Sequence, residues 1–71
     1  MGVTLVLEKY GSRIERLMLS HYKSLSEKDR RHYAAVEATK LGHGGITYIS
    51  GLFGCSRQTI AAGLEELKKT K

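Results

Sequence analysis

Two glycine breaks constrain this chain more than any other feature. "GHGG" occupies 42–45 and "GCS" occupies 54–56, and between them "ITYISGLF" has room for about two helical turns. Three glycines in four residues leave the backbone too free to continue a helix. Ile46, Ile49, Ser50 and Phe53 stand at i, i+3, i+4 and i+7, one face of a short helix. Isolated helices below roughly 12 residues are marginal in water, so this one must lean on neighbours. Gly54 is placed to stop it in the left-handed conformation, and Ser56 to cap the next helix by accepting from the N–H of Gln58 or Thr59. A stop glycine, one apolar residue and a capping serine make a turn of about three residues between two helices, the helix-turn-helix arrangement.

The flanking segments supply the walls. "SLSEKD" opens a helix: Ser26 is the cap, Asp29 stands in for the usual Glu or Gln of a capping box, and Glu27 adds first-turn negative charge. This helix is expected to run to Leu41 and stop at Gly42. Ala34, Ala38 and Leu41 share one face, and Tyr33 with Val36 forms a second apolar side, so the helix reads as a middle layer. Glu37 falls between the two sides, where it is expected to be half-buried and paired with an arginine. After Ser56, an inner face of Ile60, Gly63, Leu64 and Leu67 opposes an outer face of Gln58, Ala61, Ala62, Glu65 and Lys69. Upstream, Val3, Leu7, Tyr10, Ile14, Leu17, Met18, His21 and Leu25 fall on one stripe of an amphipathic helix, firm from about 12 to 22. Ile14 and Leu17 are expected to pack on Tyr33 and Val36. The fold class is therefore all-α: a homeodomain-like tri-helical helix-turn-helix core in residues 26–71, preceded by an N-terminal amphipathic helix in residues 1–25.

Composition narrows the function. The chain is 41% apolar, too apolar for a disordered tail, and holds no run long enough to span a membrane. "MGVTLVLEKY" lacks a basic lead and a small-residue cleavage site, so it does not read as a signal peptide. Cys55 is the only cysteine, which rules out an internal disulfide and makes a reducing, cytoplasmic setting the expectation. His21, His32 and His43 match no metal spacing, and neither a metal nor a cofactor is expected. No nucleophile, base and orienter occur together, so the chain does not read as an enzyme. The net charge of +5 suits an acidic partner such as nucleic acid.

The second helix of such a pair presents its first residues to the major groove of double-stranded DNA. Ser56, the free N–H groups after it and Thr59 are suited to a phosphate. Arg57 would meet a phosphate or a guanine edge, Gln58 an adenine, and Ala61 and Ala62 thymine methyls. Glu65 faces the same groove, and Lys69 lies at its far end. Arg30 and Arg31 in "KDRRH", and His43 in the glycine loop, are candidate phosphate contacts. Each has a plainer reading. Arg57 may pair with Glu27 or Glu37, exposed alanines are ordinary helix formers, and charge runs are usually a solvated face.

Residues 25–67 also resemble the N-terminal region of bacterial insertion-sequence transposases of the Rhodopirellula-type DDE family. The elements that carry the resemblance are "EKDRR", "YAAVEA", "LGHGGI", "GCSRQTI" and "GLEEL", in order and nearly ungapped, while the first 24 residues match loosely. The resemblance implies a homeodomain-like domain that binds the terminal repeats of an insertion sequence. In such transposases a catalytic domain with three metal-binding carboxylates follows, for which 71 residues have no room. The expectation is an isolated DNA-binding part without activity of its own. Family members tend to be basic where this chain has Ala61 and Ala62, which lowers the expected hold on DNA. The alternative reading is a small helical interaction or dimerisation module, in which the stripe from Val3 to Leu25 is the working surface and two copies pair through it.

Overall fold

A computed structural model describes residues 10–69 as four helices: α1 (Ser12–Ser24), α2 (Glu27–Leu41), α3 (Gly45–Phe53) and α4 (Arg57–Lys69). No strand occurs among the described residues, and the chain is all-α. Val3 and Leu7, expected on the first helix, lie outside the described residues.

The helix ends follow from local chemistry. Ser26 accepts from the Asp29 N–H at 3.2 Å and opens α2. Gly42, at φ 74°, closes α2, and Gly44, at φ 83°, precedes α3. Both need the left-handed region that glycine enters without strain. Gly45 begins α3 beside α2, so close that a Cβ there would run into the Ala38 carbonyl.

Three alanines make α2 the centre of the fold. Ala34, Ala35 and Ala38 are buried, and their short side chains let neighbouring helices approach. α2 packs most extensively on α4 and then on α3, with α1 on a smaller contact. Ile49 and Ile60 are completely enclosed, and Phe53 and Met18 complete the core. Each fully buried isoleucine stabilises the fold by about 1.5–3 kcal/mol relative to an exposed one. At the crossing of α4 on α2, a Cβ on Gly63 would lie 2.5 Å from the Arg31 carbonyl oxygen.

α1 is rolled differently from the expected stripe. Ile14 and Leu17 do not pack on Tyr33 and Val36: they are 44% and 59% exposed, and Val36 is 45% exposed. The buried side is centred instead on Met18, Leu19 and Tyr22. The roll is set by aromatic and polar contacts that periodicity does not reveal. Tyr22 stacks on Phe53 at 4.2 Å between ring centroids. Glu15 turns inward to accept from the Tyr48 hydroxyl. Burial first, and then the bond to Glu15, holds the Tyr48 phenol protonated far above its ordinary range. On α2, Ala35 rather than Val36 joins the buried surface, because Gly63 of α4 crosses there.

Glu37 is also corrected. It is buried at 9% exposure, not half-buried, and its partners are not arginines. The Tyr10 hydroxyl donates to it at 3.1 Å, and Lys40 lies 3.4 Å away. A buried carboxylate is tolerated when it is hydrogen-bonded and paired, and here one residue does both by tying the start of α1 to α2.

The turn between α3 and α4 has the expected chemistry. Gly54 sits at φ 72°, ψ 28°. Its N–H and that of Cys55 both donate to the Ser50 carbonyl, at 2.9 and 3.2 Å. Ser56 accepts from the Thr59 N–H at 3.0 Å. Open space surrounds Gly54, so a substitution there is opposed by backbone strain alone. Gly54→Val is expected to cost at least about 1 kcal/mol. Thermal melting should fall by about 4–8 °C per kcal/mol, and an unchanged midpoint would mean that position 54 does not carry the turn.

Candidate nucleic-acid interface

α4 leaves one side unused by the core. Ile60 and Gly63 are buried and Leu64 and Leu67 half-buried, whereas Arg57, Gln58, Ala61, Ala62, Glu65 and Lys69 are all exposed. The exposed set forms one face of a helix about 20 Å long, as 13 residues at 1.5 Å give. Small side chains in its middle, with a cation and an amide at its start, make a low surface that a groove can approach. Glu65 lies on this face with Lys68 at 3.4 Å; both are well exposed, so the pair contributes little.

A cleft of about 490 Å³ opens beside the first turns of α4. It brings together six residues singled out in the sequence: Arg30, Arg31, Ser56, Gln58, Thr59 and Ala62. Tyr22 and Glu27 line it too, and neither stood out in the sequence as a functional residue. Arg57, Ala61, Glu65 and Lys69 lie outside the cleft. His43 sits apart, exposed in the α2–α3 loop.

Most of the candidate donors in the cleft already have partners within the chain. Ser56 is spent on the α4 cap, and its hydroxyl lies 2.9 Å from that of Thr59. Arg30 donates through Nε to the Tyr22 carbonyl at 3.1 Å and through Nη2 to the Lys23 carbonyl at 2.9 Å. Its guanidinium lies 5.6 Å from the centre of the Tyr22 ring. It caps the C-terminus of α1, where a cation is favoured by the helix dipole. Capping by neutral carbonyls leaves its charge in place.

Arg31 is held by Glu66, a residue that sequence reasoning passed over. Glu66 Oε1 accepts from Arg31 Nε at 3.3 Å and Nη2 at 3.2 Å, and His32 Nε2 lies 2.9 Å from the same oxygen. These bonds, His32 first and then Arg31, hold the Glu66 carboxyl below its ordinary value of 4.5. The partners are more than 30 positions apart, so no local spacing could have disclosed the cluster. Because the folded carboxyl is the stronger acid, its contribution is complete above pH 4.5 and is lost as pH falls through the depressed folded value. Melting curves of the native chain and Glu66→Gln should differ at pH 7 and converge at acid pH. A gap that persists unchanged below pH 3 would show that ionisation is not what the cluster uses.

Among the described residues, Arg13, Arg16, Lys23, Lys28, Arg57 and Lys69 are exposed cations without an ion-pair partner. Arg57 therefore pairs with neither Glu27 nor Glu37. Within the same residues, no three His, Cys, Asp or Glu side chains converge as metal ligands, and no helix is long and apolar enough to cross a membrane. No family model, curated protein or solved structure matches the chain.

Proposed function

We propose that this chain binds double-stranded DNA, with α2, α3 and α4 as a homeodomain-like helix-turn-helix and α4 in the major groove. The single observation that carries this reading is the exposed face of α4 directly after the capped three-residue turn. The core leaves that face unused, and it begins with an unpaired arginine. The net charge of +5 supports the same partner. On the resemblance described above, the DNA is the terminal repeat of an insertion sequence, the parent protein is a transposase, and the setting is the bacterial cytoplasm. The chain acts in this reading as the binding part and not as the catalyst.

Arg57 and the unpaired Lys28 carry most of the phosphate attraction near α4 in this account. Arg30 adds charge from its fixed position, while Arg31 is largely neutralised by Glu66. Non-specific affinity is expected at a dissociation constant on the order of 10⁻⁴ to 10⁻⁶ M near physiological salt. Titration of a labelled duplex at two salt concentrations tests it. Binding should weaken steeply with salt, and Arg57→Ala should weaken it further and flatten the salt slope by about one. Glu65→Gln and Ala62→Arg should strengthen it on random sequence, by removing a repelled charge and adding an attracted one. Absence of binding at low salt would leave the second reading, an interaction module. The exposed Ile14, Leu17 and Val36 favour that reading.

A further inference from the structure

The three large apolar side chains exposed in the described structure, Ile14, Leu17 and Val36, lie along one seam. α1 and α2 run antiparallel: the Tyr10 hydroxyl meets Glu37 at one end, and His21 packs edge-on against Tyr33 toward the other, 5.1 Å between ring centroids. Ile14 and Leu17 fall between Tyr10 and His21, and Val36 falls between Glu37 and Tyr33. The three therefore share one surface, with α1 supplying two residues and α2 one.

Charge is arranged along this seam with opposite signs at its ends. Asp29, Val36 and Lys40 stand at i, i+7 and i+11 of α2, one exposed stripe with an acid at one end and a base at the other. On α1, exposed Arg13 neighbours Leu17 at i+4 and lies at the same end as Lys40. Reading along the seam gives a basic end of Arg13 and Lys40, an apolar middle, and an acidic end at Asp29. Lys40 keeps its contact to Glu37 and is still 60% exposed.

We infer that the α1–α2 seam is a self-complementary surface that pairs two copies of this chain about a two-fold axis through its apolar middle. That axis lays Arg13 and Lys40 of each copy against Asp29 of the other, while the apolar side chains cover one another. A two-fold interface needs such self-complementarity, because the same patch serves both partners. A uniformly acidic partner would be repelled at the Asp29 end, and a uniformly basic one at the Arg13 and Lys40 end. Three side chains make a small centre, below the area of a standard stable interface, so the association is weak and transient. The surface lies on helices other than α4, and the inference does not rest on DNA binding.

Sedimentation equilibrium of the full chain without DNA, from about 10 μM to about 1 mM, tests it. The expected result is an average mass that rises from 7.9 kDa toward twice that value. Leu17→Lys and Val36→Lys should each remain monomeric with unchanged helicity and melting temperature, since neither side chain is in the core. Asp29→Lys or Lys40→Asp alone should weaken pairing by about tenfold at low salt, and the two together should restore it. A monomer throughout the concentration range would overturn the inference, as would a double exchange that fails to restore pairing. Proton contacts from Leu17 and Val36 to residues 3–7 of the same chain would also overturn it, by giving the patch an internal cover.

Discussion

Gly63→Leu is expected to abolish cooperative folding at 25 °C. The glycine lies at the crossing of α4 on α2, where even a Cβ would come within 2.5 Å of the Arg31 carbonyl oxygen and 3.2 Å of the Ala35 Cβ. The first obstacle is backbone, which cannot rotate aside, so α4 must lift from α2. Overpacking in a core costs about 1–3 kcal/mol, and more when elements must separate. Lifting α4 also uncovers Ile60 and breaks the bonds from Glu66 to Arg31. A domain of this size holds only about 3–5 kcal/mol in its core, so the loss should be complete. Gly51 makes the contrast. It lies in α3, exposed, with open space where a Cβ would go. Gly51→Ala should stabilise by about 0.5–1 kcal/mol through helix propensity. Thermal melts of the two variants check both claims, and a Gly63→Leu chain that melts like the native one would move the crossing elsewhere.

Ile60→Ala should destabilise by about 2–5 kcal/mol, the range for truncating a large aliphatic side chain in a core. Ile60 is completely enclosed, so nothing but its neighbours can fill the space it leaves. Ile14→Ala should stay within about 0.5 kcal/mol of the native chain, because Ile14 is 44% exposed. The sequence places both residues on apolar helical stripes of similar strength. The pair of denaturant titrations therefore measures the roll of α1 directly. Equal losses at the two positions would mean that α1 buries the stripe read from its spacing.

The elements whose ends are fixed by local chemistry were legible before the structure. Ser26, Gly42, Gly54 and Ser56 do in three dimensions what their positions imply, because capping and left-handed turns involve neighbours within four residues. The outer and inner faces of α4 were legible for a related reason: one side of that helix is markedly more apolar than the other. α1 was not, because its stripe is flanked by Tyr22, Leu19 and Glu15, which find better partners in Phe53 and Tyr48 than Ile14 finds in Val36. The same failure hid Glu66 and mispaired Glu37. Contacts between residues more than 25 positions apart leave no trace in spacing. The role of Arg30 illustrates the difference for the candidate interface. Its charge was visible, but its fixed place over Tyr22, capping α1, needed the coordinates.

The proposed interface gains from this a sharper division of labour. Arg30 and Arg31 are committed to holding helices together, so removing either should disturb the fold as well as any DNA contact. Arg57, Gln58, Ala61, Ala62 and Glu65 carry no structural duty in the core, and variants there should report on binding alone. Ala61 and Ala62 leave the middle of the face without charge, so affinity should respond more to one added arginine than to the loss of any single existing side chain.

Amide chemical-shift mapping with a short random duplex at low salt tests the central claim most directly. The account predicts changes concentrated at Ser56, Arg57, Gln58, Ala61, Ala62 and Glu65, with Lys28 at the margin, shrinking together as salt is raised. Changes confined to residues 12–25 and 36–40 that spare α4, or no changes at all, would contradict it.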